Sequence, residues 1–237
     1  MKSRNGIVAR RQLRAQKSSE RATVSARFFK TGVGQYGEGD TFLGLTVPMV
    51  RTVVKNFPNL SPQETKTFLT SPWHEERLFA LLVLVRQYEC GDAHVRQRIA
   101  GFYVRNRRYI NNWDLVDVSA DKILGAHCFE NSSVILYKLA KSKNLWDRRI
   151  AILATFFFIR KGQYSQTLRI AGMLLKDKQD LIHKAVGWML REMGKRSLST
   201  EETFLKRYAK VMPRTMLRYA IERFPETKRQ QYLDIKH

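Results

Sequence analysis

Residues 181–196 read LIHKAVGWMLREMGKR, and the period of this stretch decides the fold class. Lys184, Trp188 and Arg191 fall at i, i+4 and i+7, the spacing of one α-helical face, and form a basic stripe with an aromatic at its centre. Gly187 beside Trp188 either lets a ligand or backbone come close or serves tight helix packing, and the plain reading of the stripe is a core Trp flanked by cations whose stems run along apolar surface. Toward the N-terminus, comparable helix-start positions fall at Arg149, Trp113 and Arg77, so the steps from Arg77 are 36, 36 and 35 residues. A stride of that size is the beat of a two-helix repeat.

Helix signals recur along the whole chain. Thr46 and Pro48 open one helix, Ser61-Pro62-Gln63-Glu64 reads as a capping box with Pro at the first position, and Ser71-Pro72 opens another. Further starts are legible at Asp92, Asn112, Asn144, Asp180, Ser199 and Pro213. Apolar residues recur at three and four, as in Leu78, Leu81, Leu82, Val85 and in Ile150, Leu153, Phe157, whereas strand alternation is scarce. The expectation is an all-α fold, an α-solenoid of HEAT-like two-helix repeats with a concave basic groove, because stacked pairs share a core and display one helix of each pair on one face. Tetratricopeptide repeats have a similar stride, but their Trp/Leu/Gly/Tyr pattern is missing. Residues 1–30 hold nine basic side chains, from Lys2 and Arg4 to Lys30, against the single acid Glu20, and read as a segment that frays until it meets phosphate and leads into the first helix. Residues 31–40, TGVGQYGEGD, read as a loop or short hairpin, and residues 31–237 as one repeat domain.

The 237 residues carry 43 Lys and Arg against 21 Asp and Glu, a formal charge of +22, which points to a polyanionic partner and, through self-repulsion, to a monomer. No apolar run is long enough to span a bilayer and the first residues lack a secretory apolar core, so a cytoplasmic setting is expected. Cys90 and Cys128 are too few for a disulfide framework and have no zinc spacing; with His74, His94, His127, His183 and His237 scattered, no metal is expected.

Two further segments hold residues able to do chemistry. In YINNWDLVDVSADKILG, residues 109–125, Asn112 is a cap and Trp113 begins a helix; Trp113 and Asp117, four apart, lie roughly 40° apart around its axis, while Asp114 points away. An indole face beside a carboxylate is the catalytic reading; a Trp that pins one repeat to the next and an acid at a helix start is the structural one. In NLWDRRIAIL, residues 144–153, Asn144 caps a helix whose first turns bring Arg148 and Arg149 to where side chain and helix dipole both suit a phosphate.

These segments, with TFLGLTVPMVR at residues 41–51, resemble the AlkD branch of the AlkC/AlkD DNA glycosylases over residues 26–223: WDxxD at residues 113–117, WxxRxAIL at 146–153, and KAxGWxLRE at 184–192, the most specific of the three. The resemblance implies that Trp113 and Trp188 flank the lesion nucleotide, that Asp117 is the catalytic carboxylate, and that Arg149 holds the backbone nearby. Arg148, Lys184 and Arg191 join it as candidate DNA-binding residues. It also implies cofactor-free hydrolysis of the N-glycosidic bond of cationic N3- or N7-alkylated purines in double-stranded DNA, without flipping the base into a pocket. Two positions depart from the family pattern: Phe28, after Ala26-Arg27, stands where it has a Tyr, and residues 31–40 read as an insertion ahead of Phe42-Leu43-Gly44. A non-catalytic, structure-selective binder of branched or damaged DNA is the alternative, and a peptide-binding adaptor a third.

Overall fold

The structure, a computed structural model, describes residues 5–235; Lys2, Arg4 and His237 lie outside the described residues. Among these there is no strand, only an isolated bridge between Thr41 and Trp73, and the chain has the all-α fold expected. The helices form two compact units, Met1–Ile123 and Leu124–His237.

The first unit contains α1 (Asn5–Ala15), α2 (Ser19–Phe28), α3 (Val47–Asn56), α4 (Pro62–Leu69), α5 (His74–Cys90), α6 (Ala93–Asn106) and α7 (Trp113–Asp117). α5 is its axis: α3, α4, α6 and α7 pack against it, and every residue from His74 to Val85 is buried. A helix apolar on all sides has no solvent face to offer and so takes the centre. The capping box of α4 is present, Ser61 Oγ accepting from the Glu64 amide while Glu64 accepts from the Ser61 amide at 2.9 Å, and Asp92 caps α6 through the Val95 amide. α5 opens later than Ser71-Pro72 suggests, because Ser71 Oγ accepts from the Trp73 amide and holds the chain in a turn first.

Over residues 5–28 the basic N-terminal segment does not fray. It forms α1 and α2, because Ala9 and Leu13 are fully buried and because Arg10 and Arg14 donate to opposite oxygens of Glu76, at 3.1 and 2.8 Å. The Glu76 side chain is inaccessible to solvent, so these charge-assisted bonds hold α1 down where charge repulsion alone would release it. Residues 31–40 form consecutive turns rather than a hairpin.

The second unit contains α8 (Ala126–Glu130), α9 (Val134–Ala140), α10 (Leu145–Arg160), α11 (Ser165–Met173), α12 (Asp180–Gly194), α13 (Leu198–Tyr208), α14 (Arg214–Ala220) and α15 (Glu226–Leu233). α10 and α12 lie side by side, α10 carrying α8, α9 and α11, and α12 carrying α11, α13 and α14. Asn144 caps α10 by accepting from the Trp146 and Asp147 amides at 2.7 and 3.3 Å. Gly187 answers to helix packing: a Cβ there would sit 2.5 Å from the Met216 carbonyl oxygen and 2.5 Å from Tyr219 Cβ on α14. The stride read from sequence corresponds to real helix starts, since Arg77, Trp113, Arg149 and Lys184 each fall within the opening residues of α5, α7, α10 and α12.

Candidate functional site

α7 is five residues long and carries Trp113 at its first position and Asp117 at its last. Asn112, itself fully buried, caps it by accepting from the Trp113 amide at 2.8 Å. Leu115 and Val116 are inaccessible and face the core, while Trp113 and Asp117 are half-buried, so the indole and the carboxylate do share the outer side of one short helix.

Asp114 is not turned away from the surrounding chemistry. Its carboxylate accepts from His74 Nε2 at 2.7 Å, and the other ring nitrogen, Nδ1, lies 3.2 Å from Asp40. Asp40 also accepts from Arg77 at 2.6 Å, from Asn112 at 3.0 Å and from Asn111 at 3.3 Å. Burial works against charge on His74, but the Asp114 carboxylate and the hydrogen bonds to Asp114 and Asp40 outweigh it and push the imidazole up to about 9. Asp40 meets the same opposition from burial, and His74, Arg77 and Asn112 hold its carboxyl below the usual range. At neutral pH the centre is therefore an imidazolium donating to two carboxylates, with a guanidinium behind one of them.

This centre belongs to a run missed at the sequence level. His74, Glu75, Glu76 and Arg77 are consecutive, buried and each differently occupied. Glu75 accepts from the amides of Leu43, Gly44 and Leu45 at 2.8, 2.8 and 3.1 Å, while Gly44 takes φ 80°, a conformation that side-chain-bearing residues rarely adopt. Four charged residues opening an otherwise apolar helix were the available signal; first-turn acids are commonly read as complements of the helix dipole, which hides such a role.

Aromatic rings close over the same place. Phe29 stacks on Trp113 with centroids 5.3 Å apart, and also on Phe42 at 5.1 Å; Phe28, 63% exposed, meets Trp113 edge-on at 5.8 Å. Phe28 is thus an exposed ring beside the indole, and the turns of residues 31–40 are tied at their end by Asp40 to the centre beneath it.

In the second unit, Trp188 is half-buried on α12 beside Phe156, centroids 6.0 Å apart, and its indole hydrogen-bonds the buried Glu192. Burial opposes ionisation of Glu192, yet the bonds from Lys195 and Trp188 keep its carboxyl below the usual range. The four basic candidates all have partners within this unit. Arg148 donates to Asp177 at 2.6 Å and to the Ser142 and Lys143 carbonyls; Arg149 is 5% exposed and donates to the Leu181 carbonyl at 2.6 Å. Lys184 pairs with Asp180 at 2.7 Å and Arg191 with Glu222. Lys184, with 40% of its side chain exposed, is the most open to solvent. The described residues contain no cluster of His, Cys, Asp and Glu able to hold a metal, and no helix long and apolar enough to cross a membrane.

A family described as DNA alkylation repair enzyme matches residues 9–224, and the chain belongs to that family. Among solved structures, a predicted DNA alkylation repair enzyme from Enterococcus faecalis is similar to it at a TM-score of 0.70 with 17% identity, over 89% of this chain and 98% of that one. The shared fold is that of a helical-repeat DNA alkylation repair protein. No curated protein matches.

Proposed function

We propose that the chain is a DNA glycosylase that hydrolyses the N-glycosidic bond of purines alkylated at N3 or N7 in duplex DNA. The observation that carries this reading is the placement of Trp113 and Asp117 on the outer side of one short, firmly capped helix, in a member of the DNA alkylation repair family with a charge of +22. Alkylation at N3 or N7 leaves the base cationic, so it departs neutral when the bonding pair passes to the ring nitrogen, and no general acid is required. Water attacks C1′ as the C1′–N bond breaks, its proton passes to Asp117, and the same carboxylate stabilises the oxocarbenium character of the sugar. Trp113, on the same helix as Asp117, contributes the electron-rich indole face that a sugar gaining positive charge prefers, and Trp188 offers a second indole to the DNA from α12. In this reading Lys184 and Arg191 reach phosphate, Arg148 and Arg149 hold the backbone nearby, the lesion stays out of a flipping pocket, and the protein acts as a cofactor-free monomer in the cytoplasm.

The test is release of 7-methylguanine or 3-methyladenine from methylated duplex DNA by the purified chain. Asp117→Asn should remove release and leave duplex affinity nearly unchanged; no release by the unaltered chain overturns the reading. Phe29 stacked on Trp113 favours a second reading, structure-selective binding without catalysis, in which the indole is a packing residue. Tighter binding to junctions or bulges than to plain duplex, without base release, identifies that case.

A further inference from the structure

α7 is a little over one turn and runs on, through the Val118 and Ala120 amides bonded to the Asp114 and Val116 carbonyls, into the π-helix Asp121–Gly125; its own length gives it no cooperative stability in water, so contacts from outside help to set where Trp113 and Asp117 point. Leu115 and Val116 give it an apolar footing, but apolar contacts are non-directional; directional anchors come from the Asn112 amide on Asp40 and the Asp114 carboxylate on His74. Both lead to the same ring. His74 is 2% exposed and belongs to α5, the axis of the unit; it stacks on Phe42 at 4.7 Å and lies 4.9 Å from Phe29, which in turn stacks on Trp113.

We infer that His74 is a positioning residue, the clamp through which α5 sets the orientation of α7 and therefore of Trp113 and Asp117 together. The inference rests on the glycosylase reading for its catalytic consequence and on geometry alone for its structural one. His74 reaches α7 by two routes: a short polar bond to Asp114, and an aromatic chain through Phe29 to the indole. Its other nitrogen joins Asp40, so the turns of residues 31–40 end on the same clamp, and the segment that looked like an insertion is fastened to the support of the site. The charged groups facing the ring are Asp114 of α7, Asp40 of the preceding loop and Arg77 of α5 itself.

The clamp has a chemical condition. An imidazolium has two N–H donors and can serve both carboxylates, whereas a neutral imidazole has one and must release either Asp40 or Asp114. With the ring titrating at about 9, the hold on α7 is complete at neutral pH and halves in alkali.

Two readouts test this. The first needs no activity: the indole N–H resonance of Trp113, assigned by comparison with Trp113→Phe, is followed from pH 7 to pH 10 in the full chain. It should shift with a midpoint near 9, and in His74→Gln that titration should vanish. The second is single-turnover excision from methylated duplex. His74→Gln and Asp114→Asn should each slow it by about 10- to 100-fold, the cost of misplacing a reacting group by about an ångström. Duplex affinity should hold, and the double variant should be no slower than the worse single one, because the two residues act as one unit. Asp114 lies at the rim, so Asp114→Asn keeps the test open if His74→Gln folds poorly. An indole resonance that ignores both pH and His74, or variants that lose thermal stability but excise at the wild-type rate in the cold, overturns the inference. If the indole titrates as described but the unaltered chain releases no base, the clamp stands and the glycosylase reading falls.

Discussion

Replacing a single glycine by alanine should have opposite effects at two places in the second unit. Gly172 is the penultimate residue of α11, and a Cβ there meets nothing within 4 Å. Gly172→Ala should therefore stabilise, by roughly half of the 0.8–1 kcal/mol that separates the two residues in a helix interior, since the last turn counts for less. Gly187 lies mid-way along α12, where the propensity gain is full, but its Cβ would stand 2.5 Å from the Met216 carbonyl and from Tyr219 Cβ. Carbonyl and Cβ are both part of the α14 main-chain frame, so no side-chain rotation relieves the overlap and α14 must move by roughly an ångström. That movement disturbs Met216, Leu217 and Ala220, all buried, and overpacking of this kind costs about 1–3 kcal/mol. Less the propensity gain of about 0.8–1 kcal/mol, Gly187→Ala loses up to about 2 kcal/mol, so the two variants should differ by roughly 0.5–2.5 kcal/mol, with Gly172→Ala melting the higher by about 2–4 °C per kcal/mol for a chain of this size. Urea unfolding followed by circular dichroism measures it. Equal shifts of the two midpoints, or a Gly187→Ala protein more stable than the parent, would refute the argument that α12 and α14 meet backbone to backbone.

Other predictions concern buried charge. Burial, reinforced by the charge of Glu202 and opposed by Arg191, pushes Glu201 up to about 8, so the folded carboxyl keeps its proton where the unfolded one has lost it. Its contribution falls as pH rises from the unfolded value of 4.5 to about 8, and Glu201→Gln should raise stability at pH 8 by on the order of 4 kcal/mol while changing little at pH 4. Urea midpoints of both proteins across that range decide it, and parallel curves would reject it. The sign for His74 is that of a base with a raised value: its stabilisation is present below 6.5 and lost as pH passes about 9. Glu76→Ala should free Arg10 and Arg14 to seek water and loosen α1 by roughly 1–3 kcal/mol, read as faster tryptic cleavage within α1; an unchanged rate would mean that Ala9 and Leu13 alone hold the helix.

The helical class and most helix starts were legible because they depend on local chemistry: the Ser61 box, the Asn112 and Asn144 caps and the Pro213 start act within a few residues of themselves. That Trp113 and Asp117 stand on one face of a helix was also legible, since residues four apart on a helix share a side. What stayed hidden is long-range. Glu76 reaches back 62 and 66 residues to Arg14 and Arg10, and His74 joins partners 34 residues before it and 40 after. An acid in a first turn looks the same in sequence whether it complements a dipole or accepts a distant guanidinium. The fraying expected of residues 1–30 failed over residues 5–28 for that reason: composition counts the cations of α1 and cannot see the carboxylate waiting on α5.

The same distinction bears on where affinity for DNA would come from. Arg10, Arg14, Arg77, Arg148, Lys184 and Arg191 all have carboxylate partners, which at first sight removes the best candidates from the phosphate-binding set. Pairing uses acids as well as cations, however. If each of the 21 Asp and Glu neutralised one of the 43 Lys and Arg, then 43 less 21, or 22, cations would still be uncompensated. Internal ion pairs thus change which residues face a polyanion and leave the attraction itself intact. The steepness of binding against salt, at about 0.9 per phosphate neutralised, should then exceed what Lys184 and Arg191 alone supply. Removing Lys184 should lower that slope by about one and leave most of it standing. A slope that collapsed with this one residue would mean that the charge is concentrated there, and the argument from composition would fail.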